Sequence, residues 1–130
     1  MRILLVDDSR TMRNIQKSVL KGLDAPVFTE AGDGVEALTA VTSETVGFDL
    51  MLVDWNMPNM DGLTFVRSVR GSDKDTPIIM VTTEAEKSRI IEAIKAGANN
   101  YVIKPFTPDA LIERVQQTLA KRKAPATAAA

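Results

Sequence analysis

Short apolar runs alternate along this chain with longer stretches in which apolar residues recur every three or four positions. Runs of the first kind are typical of strands buried on both faces of a parallel sheet, and stretches of the second kind are typical of amphipathic helices. Five strands are predicted in this way, at 2–6, 27–31, 48–53, 77–81 and 101–103. A helix is predicted after each strand, which indicates one α/β domain.

The predicted helices carry boundary signals. Asp33 and Thr83 each precede a glutamate by three residues, which predicts capping boxes at the second and fourth helices, and Thr107 before Pro108 predicts the start of the fifth. Glycines are expected to end three helices, at Gly22, Gly71 and Gly97. The positions expected to face the core are Met12, Ile15, Val19 and Leu20; Ala37, Leu38 and Val41; Leu63, Phe65, Val66 and Val69; Ile90, Ile91 and Ile94; and Leu111, Ile112, Val115 and Leu119.

Five alternating units predict a doubly wound, five-stranded parallel sheet of the flavodoxin-like (βα)5 class, with strand order 2-1-3-4-5. The domain is expected to cover residues 1–122, followed by a disordered tail at 123–130 that is rich in small residues.

Composition removes several classes of function. The chain has no cysteine and no histidine, so thiolate metal sites, disulfides and histidine catalysis are excluded. Its formal charge of −1 favours neither nucleic acid nor a membrane surface as a partner. Neither a signal peptide nor a membrane-spanning run is recognisable, so we expect a cytoplasmic protein.

Three aspartates stand where predicted strands end. Asp7 and Asp8 follow the first strand, and Asp54 follows the third. In the proposed strand order these ends are neighbours, so three like charges would meet at one edge of the sheet and would need a cation. Oxygen ligands without histidine or cysteine favour Mg²⁺, or Mn²⁺ in its place. Taken singly, Asp8 could instead cap the first helix, and Asp54 could be a turn residue.

The next two strand ends carry residues that suit an anion. Thr82 supplies a hydroxyl and Lys104 a positive charge, on the side of Asp54 away from Asp8. The alternatives are a helix-capping role for Thr82 and a solvated strand end at Lys104. Together with the metal, these groups could stabilise phosphoryl transfer to the Asp54 carboxylate. Because the chain lacks histidine, a phosphohistidine donor must belong to another molecule.

These residues resemble the signature of the bacterial response-regulator receiver domain. The signature comprises Asp7-Asp8, Asp54, Thr82 and Lys104-Pro105. The segments 11–13, 54–62 and 101–107 are particularly similar to single-domain chemotaxis regulators of that family. The resemblance runs from about residue 2 to residue 120.

The resemblance implies a role for each position at the site. Asp54 would accept the phosphate, and Mg²⁺ would be held by Asp7, Asp8, Asp54 and the backbone carbonyl of Asn56. Thr82 and Lys104 would contact the phosphoryl group, and the bond from Lys104 to Pro105 would be a cis peptide.

The resemblance also implies a switch. The Thr82 hydroxyl would move toward the phosphate, the Tyr101 ring would turn inward, and the face formed by the fourth helix, fifth strand and fifth helix would change its binding properties. The residues expected to contact a partner there are Ile90, Tyr101, Ile103 and Arg114. The residue pattern alone leaves Ile90 and Ile103 open as core residues and Tyr101 open as a surface aromatic.

The implied function is a monomeric signalling switch in a two-component system, not an enzyme beyond its own phosphoryl transfer and dephosphorylation. Expected partners are a CheA-like histidine kinase, a flagellar motor switch protein or another effector, and a phosphatase. The alternative is a phosphorelay intermediate that passes phosphate to a histidine phosphotransfer protein. An aspartyl phosphatase is disfavoured because Asn56 stands where a second acid is expected, and a flavodoxin-like cofactor binder is disfavoured by the acidic first loop.

Overall fold

The structure, a computed structural model, describes residues 1–43 and 47–129, with side chains as far as residue 121. Five strands alternate with five helices, as predicted. The elements are β1 (Arg2–Val6), α1 (Arg10–Leu20), β2 (Val27–Ala31), α2 (Gly34–Ser43), β3 (Leu50–Val53), α3 (Gly62–Arg70), β4 (Ile78–Thr82), α4 (Lys87–Ala96), β5 (Asn100–Ile103) and α5 (Pro108–Ala129).

All the strands pair in parallel, in the order β2-β1-β3-β4-β5, which confirms the predicted topology. Val6 lies opposite Val53, and Thr82 lies opposite Ile103. The carboxyl ends of β1, β3, β4 and β5 therefore reach one edge of the sheet together.

The sheet separates two apolar clusters, because successive strand residues point to opposite faces. Leu4, Met51 and Met80 face the cluster that contains buried residues of α2, α3 and α4. Leu5, Leu52 and Val81 face the cluster that contains Leu20 of α1 with Leu111 and Val115 of α5. The inner faces predicted for α2 and α3 are thus confirmed. For α5 the prediction holds at Leu111, Val115 and Leu119, whereas Ile112 is half-buried and belongs to neither cluster.

The structure corrects two of the predicted inner faces. Ile15 of α1 is exposed, and Gln16 is buried in its place. Ile91 and Ile94 of α4 are also exposed, whereas Ala93 packs against the sheet. The packed face of α1 includes a polar side chain and that of α4 a small alanine, so the spacing of large apolar residues alone could not identify either face.

Several helix boundaries follow their predicted signals. Asp33 Oδ1 accepts a hydrogen bond from the Glu36 N–H (2.8 Å), and the Glu36 carboxylate accepts one from the N–H of Gly32 (2.8 Å). Thr107 Oγ1 accepts the Ala110 N–H at the start of α5 (3.1 Å). These side chains satisfy amide groups that a helix leaves unpaired in its first turn.

One other predicted boundary is wrong. The capping box at Thr83 does not form, because α4 begins only at Lys87 and its N-cap Glu86 makes no side-chain cap bond. Gly22 does stand at the predicted C′ position of α1, directly after the C-cap Lys21, although without a left-handed φ. Gly97, at φ +123°, is the glycine with a left-handed φ among the described residues.

The backbone of α5 is helical as far as Ala129, while residue 130 and the side chains from 122 onward lie outside the described residues. The division into a domain at 1–122 and a disordered tail at 123–130 therefore stays a prediction. In the described part of the chain, no helix has both the length and the apolarity to cross a membrane.

Arg70 joins several segments by hydrogen bonds at the edge of the sheet where the amino ends of β4 and β5 lie. Its guanidinium donates to the carbonyls of Gly97 (3.0 Å), Asp73 (2.9 Å) and Thr76 (2.8 Å), and to Asn99 Oδ1 (3.0 Å). One side chain of α3 thereby satisfies acceptors in the turn before β4 and at the end of α4. Only a planar guanidinium presents several donors in such fixed directions.

We expect Arg70→Lys to lower the free energy of unfolding by roughly 2–3 kcal/mol, because an ammonium group cannot reach all four acceptors and leaves some of them unpaired. The measurement is equilibrium urea denaturation. Arg67→Lys on the same helix is the matched control: Arg67 is an exposed residue whose ion pair with Glu92 spans 3.7 Å, so its loss should cost no more than about 0.5 kcal/mol. Equal losses in the two variants would contradict the assigned role.

Candidate functional site

The three aspartates predicted to converge do so. Asp7 and Asp8 follow β1, Asp54 follows β3, and carboxylate oxygens from all three lie within 4.8 Å of one another. Asp7 and Asp54 are buried, with 1% and 8% of their surfaces exposed, whereas Asp8 is exposed to solvent. The cluster therefore has two buried carboxylates and a third on its open side.

Lys104 pairs with both buried carboxylates. Its Nζ lies 2.6 Å from Asp7 Oδ2 and 3.2 Å from Asp54 Oδ2. The bond from Lys104 to Pro105 is cis, as the resemblance implied. The alternative of a solvated strand end is wrong, since the ammonium group lies in the site.

One lysine does not compensate the cluster fully. Burial raises the pKa of Asp54 above its ordinary value, and the neighbouring Asp7 carboxylate raises it further, against the opposing effects of Lys104 and the Thr82 hydroxyl. Negative charge at this position is therefore still costly. The described donor set consists only of oxygens, so the residues fit a hard divalent cation such as Mg²⁺.

Asp7, in the loop after β1, is held in place by Ser9 and Arg13, and Ser9 rather than Asp8 caps α1. Ser9 is the N-cap of α1 and accepts the Met12 N–H (3.1 Å), so the alternative of Asp8 as the cap is wrong. Asp7 Oδ1 accepts the Ser9 N–H (2.8 Å), and the Arg13 guanidinium donates to the Asp7 carbonyl. Sequence reasoning did not find the contact of Arg13, whose reach back from α1 depends on the tertiary fold.

Thr82 is fully buried at the end of β4, and because α4 begins at Lys87, its alternative role as a helix cap is wrong. The Glu84 N–H lies 3.4 Å from Thr82 Oγ1, and the Tyr101 hydroxyl donates to the Glu84 carbonyl (2.6 Å). Burial, followed by the Glu84 and Asp54 carboxylates, raises the pKa of Tyr101 to about 12. With 8% of its surface exposed, Tyr101 is not the surface aromatic considered as its alternative.

The other residues of the predicted partner face lie beside Tyr101. Ile103 is 37% exposed, so its alternative role as a core residue is wrong. Ile90 is partly buried against the cluster on the α4 side of the sheet. Arg114 is exposed on α5 and donates to Asn100 Oδ1 of β5 (3.1 Å). Whether these residues bind a partner stays a prediction.

Arg89 of α4 reaches the residue that follows Asp54. Its guanidinium lies 5.4 Å from the centre of the Trp55 ring and 3.8 Å from Glu84 Oε1. Asn56 Nδ2 donates to the other carboxylate oxygen of Glu84 (3.0 Å). Sequence reasoning missed Arg89, and nothing in its local pattern indicated the contact. The role of the Asn56 carbonyl as a ligand stays a prediction.

Gly62 closes the loop from Asp54 to the start of α3. Its N–H donates to the Trp55 carbonyl (2.8 Å), and a Cβ at this position would lie 1.9 Å from the carbonyl oxygen of Asp54. No side chain fits so near a backbone atom, so the loop depends on glycine here.

Comparisons with known proteins agree with this geometry. Residues 3–116 match the model of the response regulator receiver domain family. The chain is 48% identical over 121 residues to a CheY homolog, a chemotaxis protein of Campylobacter jejuni, covering 92% of each chain. It is 45% identical to the chemotaxis protein CheY of Pseudomonas aeruginosa, covering 90% of this chain and 94% of that protein. The solved structure of Vibrio cholerae chemotaxis protein CheY4 superposes with a TM-score of 0.81 at 35% identity, over 90% of this chain and 97% of that one.

We expect Gly62→Ala to lower the free energy of unfolding by roughly 2–3 kcal/mol, because the added methyl group must displace the backbone of Asp54. Urea denaturation measures the loss, and the emission spectrum of Trp55 should change with it. Gly22→Ala is the control, since a Cβ there meets nothing within 4 Å and its φ is ordinary for any residue. That change should be neutral or stabilise by up to about 1 kcal/mol. A Gly62 variant as stable as the wild type would contradict the close approach.

Proposed function

The chain belongs to the response regulator receiver domain family, and on that premise we propose that it is a chemotaxis switch that a histidine kinase phosphorylates on Asp54. The observation that carries the proposal is the placement of Lys104 between the two buried carboxylates, with Thr82 at the neighbouring strand end. A cation site alone would need neither the lysine nor the buried hydroxyl.

Mg²⁺ would be held by the carboxylates of Asp7, Asp8 and Asp54 and by the Asn56 carbonyl, with Mn²⁺ as a substitute. When bound, the ion offsets the negative charge of the phosphoryl oxygens and of the aspartates. The clustering of the three carboxylates and the burial that raises the pKa of Asp54 above its ordinary value support this site.

In the reaction, a carboxylate oxygen of Asp54 attacks the phosphorus of the donor. A P–O bond forms, the P–N bond to the donor imidazole breaks, and its electron pair stays with the departing nitrogen. The Lys104 ammonium group then pairs with a phosphoryl oxygen as well as with Asp7, and the Thr82 hydroxyl donates to another. Because both groups already lie at the strand ends, little reorganisation is needed.

The switch would use the contacts of the segment after β4. The Thr82 hydroxyl lies near the Glu84 N–H, and the Tyr101 hydroxyl holds the Glu84 carbonyl. A hydroxyl recruited by phosphate must turn from the Glu84 amide, which favours one of two arrangements of this segment and of the adjoining α4–β5–α5 face. Ile90, Tyr101, Ile103 and Arg114 are the proposed contacts of that face with a partner.

The proposed partners are a CheA-like histidine kinase, the flagellar motor switch and a phosphatase, and the relatives named for chemotaxis support this choice. The cytoplasmic location and the monomeric state stay predictions. The protein acts as a signalling regulator, with its chemistry confined to its own phosphorylation and dephosphorylation.

Trp55 provides a test of the site, since it is the only tryptophan of the chain and follows Asp54 directly. We expect its fluorescence to change saturably with Mg²⁺, and again when beryllofluoride is added as a mimic of the phosphoryl group. Asp8→Ala should weaken Mg²⁺ binding at least tenfold because it removes a charged ligand.

The control for this titration is Asp24→Ala, a change remote from the strand carboxyl ends that should leave both responses unchanged. A wild-type protein whose emission responds to neither Mg²⁺ nor beryllofluoride would rule out the proposed site.

Motor control and phosphorelay require the same chemistry at Asp54, so partner binding must distinguish them. We expect the phosphorylated protein to bind a flagellar switch peptide at least tenfold more tightly than the unphosphorylated protein, as measured by fluorescence anisotropy. In parallel, radiolabelled phosphate should stay on Asp54 when histidine phosphotransfer domains are added. Rapid transfer to those domains with no gain in peptide affinity would establish the relay instead.

A further inference from the structure

The phosphoacceptor loop, defined here as residues 54–61, is fastened at its far end to the start of α2. Asn59 Nδ2 donates to Asp33 Oδ2 (2.7 Å), and the Gly34 N–H donates to the Met60 carbonyl (3.1 Å). From these contacts we propose that Asp33 is a positioning residue for the Mg²⁺ site, acting through Asn59. The inference rests on the proposed function, because it concerns the same metal site.

Asp33 is buried and uses both of its carboxylate oxygens. Oδ1 accepts the Glu36 N–H and caps α2, while Oδ2 accepts the Asn59 amide. Hydrogen bonds from the Glu36 N–H and from Asn59 hold the pKa of Asp33 below its usual range, so the carboxylate is ionised at neutral pH. Because one oxygen of Asp33 is fixed by the start of α2, the other oxygen is a rigid acceptor for the loop.

The loop needs such support, because Asn59 adopts a left-handed conformation at φ +67°. Asparagine tolerates this conformation better than most residues, but one residue cannot set the path of a loop by itself. The backbone of α2 also comes very close: a Cβ on Gly34 would lie 2.6 Å from Met60 Cγ and 2.7 Å from the Met60 carbonyl oxygen. The hydrogen bond between Asp33 and Asn59, called here the tie, therefore lies beside a close contact between α2 and the loop backbone.

These contacts and Gly62 enclose the part of the loop that faces the metal site. Asp54 follows β3 directly and is anchored to the neighbouring β1 by the bond from its N–H to the Val6 carbonyl (2.8 Å), and the Gly62 N–H donates to the Trp55 carbonyl. Asn56, whose carbonyl is a proposed ligand, lies between those anchors and the tie at Asn59. Loss of the tie should therefore leave Asp54 in place while letting the Asn56 carbonyl vary in position.

The experiment removes the hydrogen bond between Asp33 and Asn59 by changing each partner in turn. Asp33→Ser keeps a hydroxyl that can cap α2 but cannot reach Asn59, and Asn59→Gly keeps the left-handed backbone without the amide. We expect each variant to raise the Kd for Mg²⁺, measured by Trp55 fluorescence, by roughly tenfold, the size of effect usual for groups that orient metal ligands. Because both act through one bond, the double variant should bind Mg²⁺ no more weakly than either single variant.

Two further variants separate positioning from general loss of stability. Asp33→Asn should bind Mg²⁺ as the wild type does, since the new amide can donate to a reoriented Asn59 while its oxygen still caps α2. Asp73→Ala removes a carboxylate that accepts bonds from Thr76 and Asp75 at the opposite edge of the sheet. It should lower the thermal midpoint without changing the Kd for Mg²⁺.

The outcomes are distinct. A wild-type protein that does not respond to Mg²⁺ would defeat the proposed function itself. A wild-type response with an unchanged Kd in Asp33→Ser and Asn59→Gly would overturn the positioning role alone. Additive effects in the double variant, or an equal rise of the Kd in Asp73→Ala, would also overturn it.

Discussion

The ion pairs of Lys104 with two buried carboxylates are the interaction on which the site depends. Asp7 and Asp54 are held side by side because β1 and β3 are neighbours in the sheet, and each would resist burial beside the other without a positive charge. The lysine comes from the other side of Asp54, two strands along. The order of the strands therefore decides the chemistry, since it brings residues separated by up to 97 positions within hydrogen-bond distance.

The two edges of the sheet are built on different principles. At the amino ends of β4 and β5, Arg70 satisfies four acceptors with one side chain, and polar groups there are paired within the protein. At the carboxyl ends, negative charge is left only partly compensated, as the raised pKa of Asp54 indicates. One edge thus pairs its polar groups internally, while the other retains the unfavourable charge that a ligand can relieve.

The sequence predicted most of this arrangement because its strongest signals are local. Apolar runs located the strands to within two residues, and the side chains directly after those runs named the cluster at Asp7, Asp8 and Asp54. Prediction failed where several local solutions compete: α1 turns Gln16 rather than Ile15 inward, and α4 starts beyond the capping box expected at Thr83. Ahead of α4, Glu84 contacts Thr82, Tyr101 and Asn56 of the site, and the helix starts only after it.

The contacts that sequence reasoning missed share a physical reason. Arg89 and the hydrogen bond from Asn59 to Asp33 join elements that lie far apart in the chain, and Arg13 reaches back from α1 to the Asp7 carbonyl. All three contacts depend on the reach of a side chain, which no local pattern records. Gly62 belonged to a recognised segment, yet its requirement for glycine becomes evident only once the carbonyl of Asp54 is in place. Such restraints shape the site without supplying its reactive groups.

The position of Arg89 over Trp55 has a thermodynamic consequence for signalling. This guanidinium joins α4, part of the proposed partner face, to the residue next to the phosphoacceptor. Coupling between two binding sites is reciprocal: a partner that binds the phosphorylated form more tightly must stabilise that form by the same factor. In the proposed switch, a partner that binds the phosphorylated form therefore also shifts the equilibrium toward that form, and the abundance of the partner becomes one of the quantities that set the phosphorylated fraction.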